Sequence, residues 1–231
     1  SAVLLLSVSS AALAADPDTV EISSAEDLAE LSALCTSDAW SEGKTIVLTR
    51  DISLTGCDFS PIPLLSGTFD GRGHSILGIS LDGDAQQGLF RMVLKSGVVK
   101  NLTVSGTLRA TGNGENIGGI AGVNYGAIEN CRFDGDILAQ AAAGGIVGLN
   151  QEGALVSECK TSGSISAYHR AGGIAGENRG VLSECENRMS VNTDYIAVEK
   201  PDQKKSFDIS TLTLNEETII DITDLGGIAG L

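Results

Sequence analysis

Apolar and polar residues alternate with period two in several short segments of this chain. The alternation puts Cys131, Phe133 and Ile137 on one side, and Cys159 and Cys185 open two further copies of the segment. Period two indicates a β-strand, because successive side chains point to opposite faces. An apolar residue stands three positions before each cysteine, namely Ile128, Val156 and Leu182. If both members of each pair point inward, the strand must break between them at a bulge or turn.

A five-residue phrase recurs between these strand segments. The sequence GGIAG or GGIVG begins at Gly118, Gly144, Gly172 and Gly226. Successive copies are 26, 28 and 54 residues apart, and we interpret the last interval as two periods of about 27. A repeat of this length predicts a solenoid, in which each coil packs against its neighbours.

The strand frame also extends upstream, where hydrocarbon replaces cysteine. Aligning the copies predicts one inward ladder of equivalent positions: Ile79, Leu102, Cys131, Cys159 and Cys185. We therefore interpret the cysteines as small buried apolar residues. A metal site would need ligands at short spacings such as C-x-x-C, which are absent from the sequence, whereas a disulfide between Cys131 and Cys159 is compatible with strand spacing. Cys35 and Cys57 lie outside the frame and can pair in an oxidising compartment.

Glycine and asparagine mark the predicted corners of the coils. The chain contains 29 glycines, which suit positions with positive φ and places where neighbouring backbones lie close together. Asn124, Asn150 and Asn178 each follow a phrase by two residues. Asparagine tolerates the left-handed region, and stacked asparagines can hydrogen-bond from coil to coil. The same frame predicts that Ile146 points inward and that Glu177 points outward.

Two N-terminal segments stand apart from the repeat. Residues 1–15 are an uncharged, mostly apolar run that ends in ALAA, which predicts the remnant of a signal peptide and its cleavage site. The run is too short to span a membrane. Residues 16–43 are predicted to form a cap over the open end of the solenoid, with a short helix that begins after Ser24. On that helix Leu28, Leu31 and Leu34 are expected to share one face.

The rest of the chain, residues 44–231, is assigned to a parallel β-helix that is truncated at its C-terminus. Its first strands are predicted at residues 45–48 and 52–54. Residues 186–224 depart from the repeat, and their charged, proline-containing stretch predicts a surface insertion at about 190–218. This insertion is the first choice for a surface that contacts a partner.

Charge narrows the classes of partner. The chain has 30 acidic and 15 basic residues, for a formal net charge of −15. Such a charge repels phosphate backbones and anionic lipids, so we expect no nucleic-acid partner and, after signal removal, no membrane insertion.

A search for chemical motifs identifies no catalytic, cofactor-binding or metal-binding residue. Neither His74 nor His169 belongs to an H-E-x-x-H motif. Two D-G-D pairs, at residues 82–84 and 134–136, stop short of a full calcium loop, and we interpret them as solvated turns.

Three further phrases point to a family. They are GTFDGRGHSI at residues 67–76, GLF at 88–90 and VVKNLTV at 98–104. Together with the glycine phrases, they resemble the GLUG-repeat proteins over about residues 20–231. The resemblance implies a right-handed parallel β-helix in extracellular bacterial surface proteins, among them adhesin-like proteins and the non-catalytic regions of IgA-specific metallopeptidases. The family motifs are specific for the fold and poor guides to a ligand. We expect a secreted or cell-surface structural or binding segment of a larger bacterial protein, without a cofactor, whose extracellular partner is a host or cell-wall glycan or protein.

One alternative function is an enzyme that cleaves polysaccharides, either a lyase or a glycoside hydrolase. Asp70, Arg72 and His74 alternate in a way that would place them on one strand face. Glycoside hydrolysis needs two carboxylates at a controlled separation, and only Asp70 is a fixed candidate. The family resemblance implies that this segment is a structural turn. A further alternative is an accessory region of a large extracellular metallopeptidase.

Overall fold

The computed structural model shows a parallel β-solenoid of about six turns, with about 28 residues in each turn. It describes residues 18–83, 86–110, 116–140 and 142–192, and the backbone of 225–226. Stacked residues in neighbouring coils lie 26, 28 or 29 positions apart. The predicted all-β parallel β-helix is therefore confirmed. The predicted signal sequence, residues 1–15, lies outside the described residues.

Among the described residues, four strips of parallel sheet run along the stack. The first sheet contains β1 (Thr19–Ile22), β2 (Thr45–Leu48), β5 (Thr68–Asp70), β8 (Val98–Lys100), β12 (Ala127–Glu129), β16 (Leu155–Ser157) and β20 (Val181–Ser183). The second contains β3 (Ile52–Ser53), β6 (Ser75–Asp82), β9 (Thr103–Ala110), β13 (Arg132–Ala139), β17 (Lys160–Ala167) and β21 (Glu186–Val191). The third contains β4 (Ile62–Leu65), β7 (Phe90–Val93), β11 (Ala121–Asn124), β15 (Val147–Asn150) and β19 (Ala175–Asn178). The fourth contains β10 (Ile117–Gly118), β14 (Ala142–Gly144), β18 (Arg170–Gly172) and β22 (Leu225–Gly226).

The corner between the first and second sheets repeats one backbone conformation. Asn101, Asn130, Glu158 and Glu184 have φ values of 53°, 46°, 55° and 54°. Positive φ is uncommon outside glycine, so its recurrence in four coils defines a shared turn. The predicted break of the strand between Ile128 and Cys131, and at the equivalent pairs in the next coils, is confirmed.

The cysteine ladder forms as predicted in four of its five positions. The backbone hydrogen bonds Arg132 N to Leu102 O and Lys160 N to Cys131 O place Leu102, Cys131 and Cys159 in consecutive coils. These three side chains are buried. Cys185 follows in the next coil and is half-buried.

The fifth position, Ile79, was assigned wrongly. Ile79 is buried, but it pairs with Gly106 rather than lying beside Leu102. A register shift between Ile76 and Ile79 adds residues to β6, and Gly78 within it has φ of 72°. The extra residues preserve an apolar spacing that resembles the other copies, which explains the error.

The glycines of the repeated phrase are required by close backbone contact. A Cβ on Gly118 would lie 2.5 Å from Cα of Val147, and one on Gly119 would lie 2.2 Å from the ring of Phe133. Among the described residues, no glycine of the phrase has positive φ. The fourth sheet can therefore pack closely over the third only where side chains are absent.

The asparagines after the phrase form a hydrogen-bonded ladder, but not a left-handed corner. Asn124 and Asn150 are fully buried ends of strands. Asn124 Nδ2 donates to Asn150 Oδ1 at 2.9 Å, and Asn150 Nδ2 donates to Asn178 Oδ1 at 2.8 Å. The coil-to-coil hydrogen bonding is confirmed, whereas the expected positive φ at these positions is wrong.

The inward and outward assignment near the phrase is correct for Ile146 and wrong for Glu177. Ile146 is fully buried. Glu177 is 8% exposed, and its carboxylate forms ion pairs with Arg170 and Arg179. All four residues of the neighbouring strand β15 are buried, so the third sheet has no open face at this level.

The described part of the N-terminal cap, residues 18–43, contains two helices, α1 (Ala25–Leu34) and α2 (Asp38–Ser41). Ser24 Oγ accepts a hydrogen bond from Asp27 N at 3.1 Å, which confirms the predicted N-cap. Leu28 and Leu31 are buried, but Leu34 is 40% exposed, and Cys35 takes the next buried position. The segment before α1 adds a strand to the stack, because β1 pairs with β2. In the part of the chain that the structure describes, no helix is long and apolar enough to cross a membrane.

The prediction that the last interval of the repeat spans two periods is wrong. Gly172 pairs directly with Gly226, so the interval of 54 positions separates neighbouring coils and does not correspond to two periods. Residues 186–191 remain in register with β17. Residues 193–218 of the predicted insertion lie outside the described residues.

Candidate functional site

The residues considered for polysaccharide cleavage lie in a turn between β5 and β6. Asp70 ends β5, and Arg72 follows with φ of 50°. Gly73 also has positive φ, and His74 precedes β6. The prediction that Asp70, Arg72 and His74 share one strand face is therefore wrong. Alternation along the sequence was misleading here, because residues with positive φ turn the backbone between Asp70 and His74.

The carboxylate of Asp70 ends a polar ladder at this corner. Its Oδ1 accepts hydrogen bonds from Arg72 N at 2.9 Å and from Asn101 Nδ2 at 3.0 Å. Asn130 Nδ2 donates in turn to Asn101 Oδ1 at 2.8 Å. Lys100 Nζ lies 3.8 Å from the other carboxylate oxygen. Asp70 thus holds the turn, as the family resemblance implies.

His74 makes a separate contact with a carboxylate from an earlier coil. Its Nδ1 lies 3.3 Å from Oδ1 of Asp51, which also accepts a hydrogen bond from Ser75 N at 2.8 Å. Both side chains are exposed at more than a third of their surface. The pair links the start of β6 to the segment before β3.

The thiols of the cysteine ladder donate hydrogen bonds to backbone carbonyls. Cys131 Sγ donates to Glu129 O, and Cys159 Sγ donates to Ser157 O, each at 3.2 Å. The neighbouring thiol of Cys131 and burial raise the pKa of Cys159 far above its ordinary value, and the thiol of Cys159 and burial do the same for Cys185. Burial raises the pKa of Cys35 to about 11. All five cysteines are free, including Cys57, so neither the Cys131–Cys159 nor the Cys35–Cys57 disulfide is formed.

The second D-G-D pair is part of a strand and not a solvated turn. Asp134 and Asp136 lie on β13, with exposed side chains. Ser162 Oγ donates to Asp134 Oδ1 at 2.7 Å, and Ser164 Oγ donates to Asp136 Oδ1 at 2.6 Å. Asp84 of the first pair lies outside the described residues. Within the described ranges, no group of three histidine, cysteine or acidic residues is arranged to hold a metal ion.

These aspartates belong to a continuous polar face on the second sheet, which we call the polar face. It consists of the outward side chains of three neighbouring strands: Thr103, Ser105 and Thr107 on β9; Arg132, Asp134 and Asp136 on β13; Lys160, Ser162 and Ser164 on β17. Registers place these side chains in straight rows across the strands. Neighbouring strands are spaced by about 4.8 Å, so the rows form a regular array of donors and acceptors.

Both signs of charge occur on the polar face. Arg132 donates to Ser162 Oγ at 3.1 Å, and its guanidinium lies 3.6 Å from Asp134. On the flanking strand β21, Glu186 lies 3.8 Å from Lys160 and 2.6 Å from Arg188. The sequence contains a signal for this face. The polar residues occupy the alternate positions between the inward residues of each repeated strand.

Residues 113–138 match the family model described as the GLUG motif. Halomucin from Haloquadratum walsbyi is 27% identical over 151 residues, an alignment that covers 58% of this chain and 2% of halomucin. This chain therefore spans a small fraction of that relative's length. Among solved structures, a candidate immunoglobulin A1 protease from Bacteroides ovatus has a TM-score of 0.48 at 16% identity, with 78% of this chain and 79% of the other covered.

Proposed function

We propose that this chain is a non-catalytic, adhesin-like segment of a larger secreted or cell-surface protein. Its stack of coils holds the polar face toward an extracellular partner. The observation that carries the proposal is the polar face itself, an array of exposed and half-buried hydrogen-bonding groups fixed on a closely packed scaffold.

Several side chains of the polar face are held in place by contacts with one another. Ser162 and Ser164 are held by Asp134 and Asp136, and Arg132 is held by Ser162. Prior ordering lowers the entropy cost of binding, because the rotamers that contact a partner are already fixed. A rigid array of this kind suits a repetitive partner such as a glycan or an extended protein.

Two sequence relationships support an extracellular location. The chain contains a GLUG motif, and a stretch of it is similar to halomucin. The chain has a formal net charge of −15, so electrostatic repulsion disfavours a partner with a phosphate backbone.

The geometry around Asp70 disfavours catalysis by the predicted trio. A catalytic carboxylate has to face its substrate, whereas Asp70 accepts hydrogen bonds from the backbone of Arg72 and the side chain of Asn101. We therefore assign this segment a structural role.

Retention on immobilised probes tests the proposal. Mucin glycoprotein, peptidoglycan and collagen are coated on separate surfaces, and bound chain is quantified. We expect retention on at least one surface, and a decrease of about tenfold when Arg132→Ala and Asp136→Ala remove charges from the polar face. Glu30→Ala, on the exposed side of α1, is the matched control and should leave retention unchanged. Absence of retention on every surface, or equal retention of the double variant, would refute the proposal.

Antibody labelling of the cells that produce the protein tests its location. The account predicts labelling of intact cells or recovery of the protein from the medium. Labelling that requires permeabilised cells would contradict an extracellular role.

A further inference from the structure

We infer that the groove between the N-terminal cap and the third sheet is a binding site for a saccharide without acidic groups. This assignment rests on the proposed binding function and places one ligand class at a location distinct from the polar face. The groove has a volume of about 420 Å³. The lining residues used below are Asp38, Glu42, Met92, Leu94, Lys95 and Tyr125.

The groove combines an apolar floor with an exposed aromatic ring. Met92 and Leu94 are half-buried, and Tyr125 is 40% exposed. An aromatic ring beside aliphatic side chains offers a surface against which the C–H face of a sugar ring can pack. Large aromatic side chains are rare in this chain, at 4% of residues, so the ring at this groove is a distinctive feature.

Around this floor stand polar groups that have no side-chain partner among the described residues. The carboxylates of Asp38 and Glu42 can accept hydrogen bonds, the ammonium of Lys95 can donate them, and the hydroxyl of Tyr125 can do both. Sugar hydroxyl groups also donate and accept. A sugar ring is apolar on its C–H face and polar at its edge. The groove therefore matches it, with an apolar floor for the face and polar groups for the edge.

The walls of the groove are fixed to the stack. Ser66 N donates to Ser41 Oγ at 3.0 Å, and Ser66 Oγ donates to the carbonyl oxygen of Asp38, so α2 is tied to the third sheet. On the other side, Tyr125 N donates to Val93 O at 2.8 Å. Tyr125 also directly follows Asn124, which is locked in the asparagine ladder. A preformed groove binds with a smaller entropy cost than a mobile one.

Charge selects among saccharides. Asp38 and Glu42 contribute two negative charges, against one positive charge from Lys95, and the whole chain has a formal net charge of −15. Acidic sugars are repelled under these conditions, whereas uncharged sugars are tolerated and amine-bearing sugars are attracted. The geometry therefore points to a neutral or amine-bearing saccharide.

Titration with three oligosaccharides of equal length tests this inference. N-acetylglucosamine oligomers are the neutral probe, glucosamine oligomers the amine-bearing probe and galacturonate oligomers the acidic probe. Binding is followed by saturation-transfer NMR and by fluorescence of Trp40, the single tryptophan of the chain, which lies on α2. We expect the first two probes to bind and the galacturonate oligomers to bind most weakly.

Variants locate the site. Tyr125→Ala should weaken binding by about tenfold, because it removes the stacking surface, while Tyr125→Phe should retain most of the affinity. Tyr168→Ala removes an aromatic ring elsewhere and should have no effect. Glu42→Gln, on the opposite wall, provides a second test that does not depend on the folding of the Tyr125→Ala variant. It should selectively weaken glucosamine binding.

Several outcomes would overturn the inference. The first is that neither the neutral nor the amine-bearing probe binds, and the second is that galacturonate oligomers bind more tightly than both. The third is that Tyr125→Ala and Glu42→Gln both keep the affinity of the unmodified chain. The fourth is that oligolysine displaces the bound sugar at a lower concentration than any saccharide does. If saccharide binding is instead lost in the polar-face variant and kept in Tyr125→Ala, the groove assignment fails and the proposed function stands.

Discussion

At the residue scale, the thiols and the asparagine amides show how this solenoid uses small polar groups inside a narrow core. Each thiol of the ladder donates to a carbonyl two residues before it, at the corner where a residue with positive φ interrupts the strands. The cysteines are therefore apolar fillers that also satisfy backbone acceptors.

Thiol reactivity follows from this arrangement. Reaction needs the thiolate, and Cys57 is exposed whereas Cys35, Cys131 and Cys159 are buried. With a chromogenic disulfide reagent at about pH 8, we expect one fast-reacting thiol in the native, reduced chain and all five in denaturant. Cys57→Ser should remove the fast phase. Rapid native reaction of Cys131 or Cys159 would show that the ladder is open to solvent.

The asparagine ladder predicts a large effect for one amide. Asn150 is fully buried, accepts from Asn124 and donates to Asn178 and to Val181 O. Asn150→Ala leaves buried polar groups without partners and should cost about 1–3 kcal/mol. Gln151→Ala, one position later and half-buried, should cost less than about 0.5 kcal/mol. Urea unfolding curves measure both, and equal losses would mean that the ladder does not stabilise the stack.

At the element scale, sequence patterns were most informative where a strand had a repeated, buried face. Alternation around Cys131 and Cys159 located β13 and β17, because inward and outward residues differ clearly there. The same approach failed at Glu177, which was predicted to point outward. The neighbouring strand β15 is buried throughout, so a charged residue at this position of β19 does not indicate a solvent-exposed face. It also missed the groove, because α2 has only four residues and its position depends on the contact between Ser41 and Ser66.

Helix α1 provides a pH-dependent element. Burial alone would raise the pKa of Asp27, but hydrogen bonds from Ser23 and Ser24 outweigh it and lower the pKa below its ordinary value of 3.8. Because the folded-state pKa is the lower one, the stabilisation is complete above about pH 5 and is lost as the pH falls through that pKa. Asp27→Asn should therefore lower stability at neutral pH, by about 0.5 kcal/mol after solvent screening, and have little effect near pH 2.

Melting temperatures of Asp27→Asn measured across this pH range check the prediction. Glu30→Gln makes the same charge change on the same helix and should show no comparable loss at neutral pH. A destabilisation by Asp27→Asn that persists unchanged at low pH would exclude a role for the charge.

At the scale of the whole molecule, stability depends on the continuity of the core from coil to coil. Ile146 is fully buried in a middle coil, whereas Val181 is 55% exposed near the end of the described stack. Ile146→Ala should cost about 2–5 kcal/mol through cavity formation, and Val181→Ala should cost less than about 0.5 kcal/mol. Circular dichroism during urea unfolding measures both, and similar losses would contradict the packing of the coils.

The central functional claim is that this stack binds an extracellular partner without cutting it. The most direct measurement mixes the chain with fluorescent polysaccharides, neutral and acidic, and follows bound fraction by anisotropy and polymer length by size-exclusion chromatography in the same sample. The account predicts binding of at least one polysaccharide with an unchanged length distribution. Shortening of a polysaccharide in proportion to chain concentration, abolished by Asp70→Asn, would contradict it.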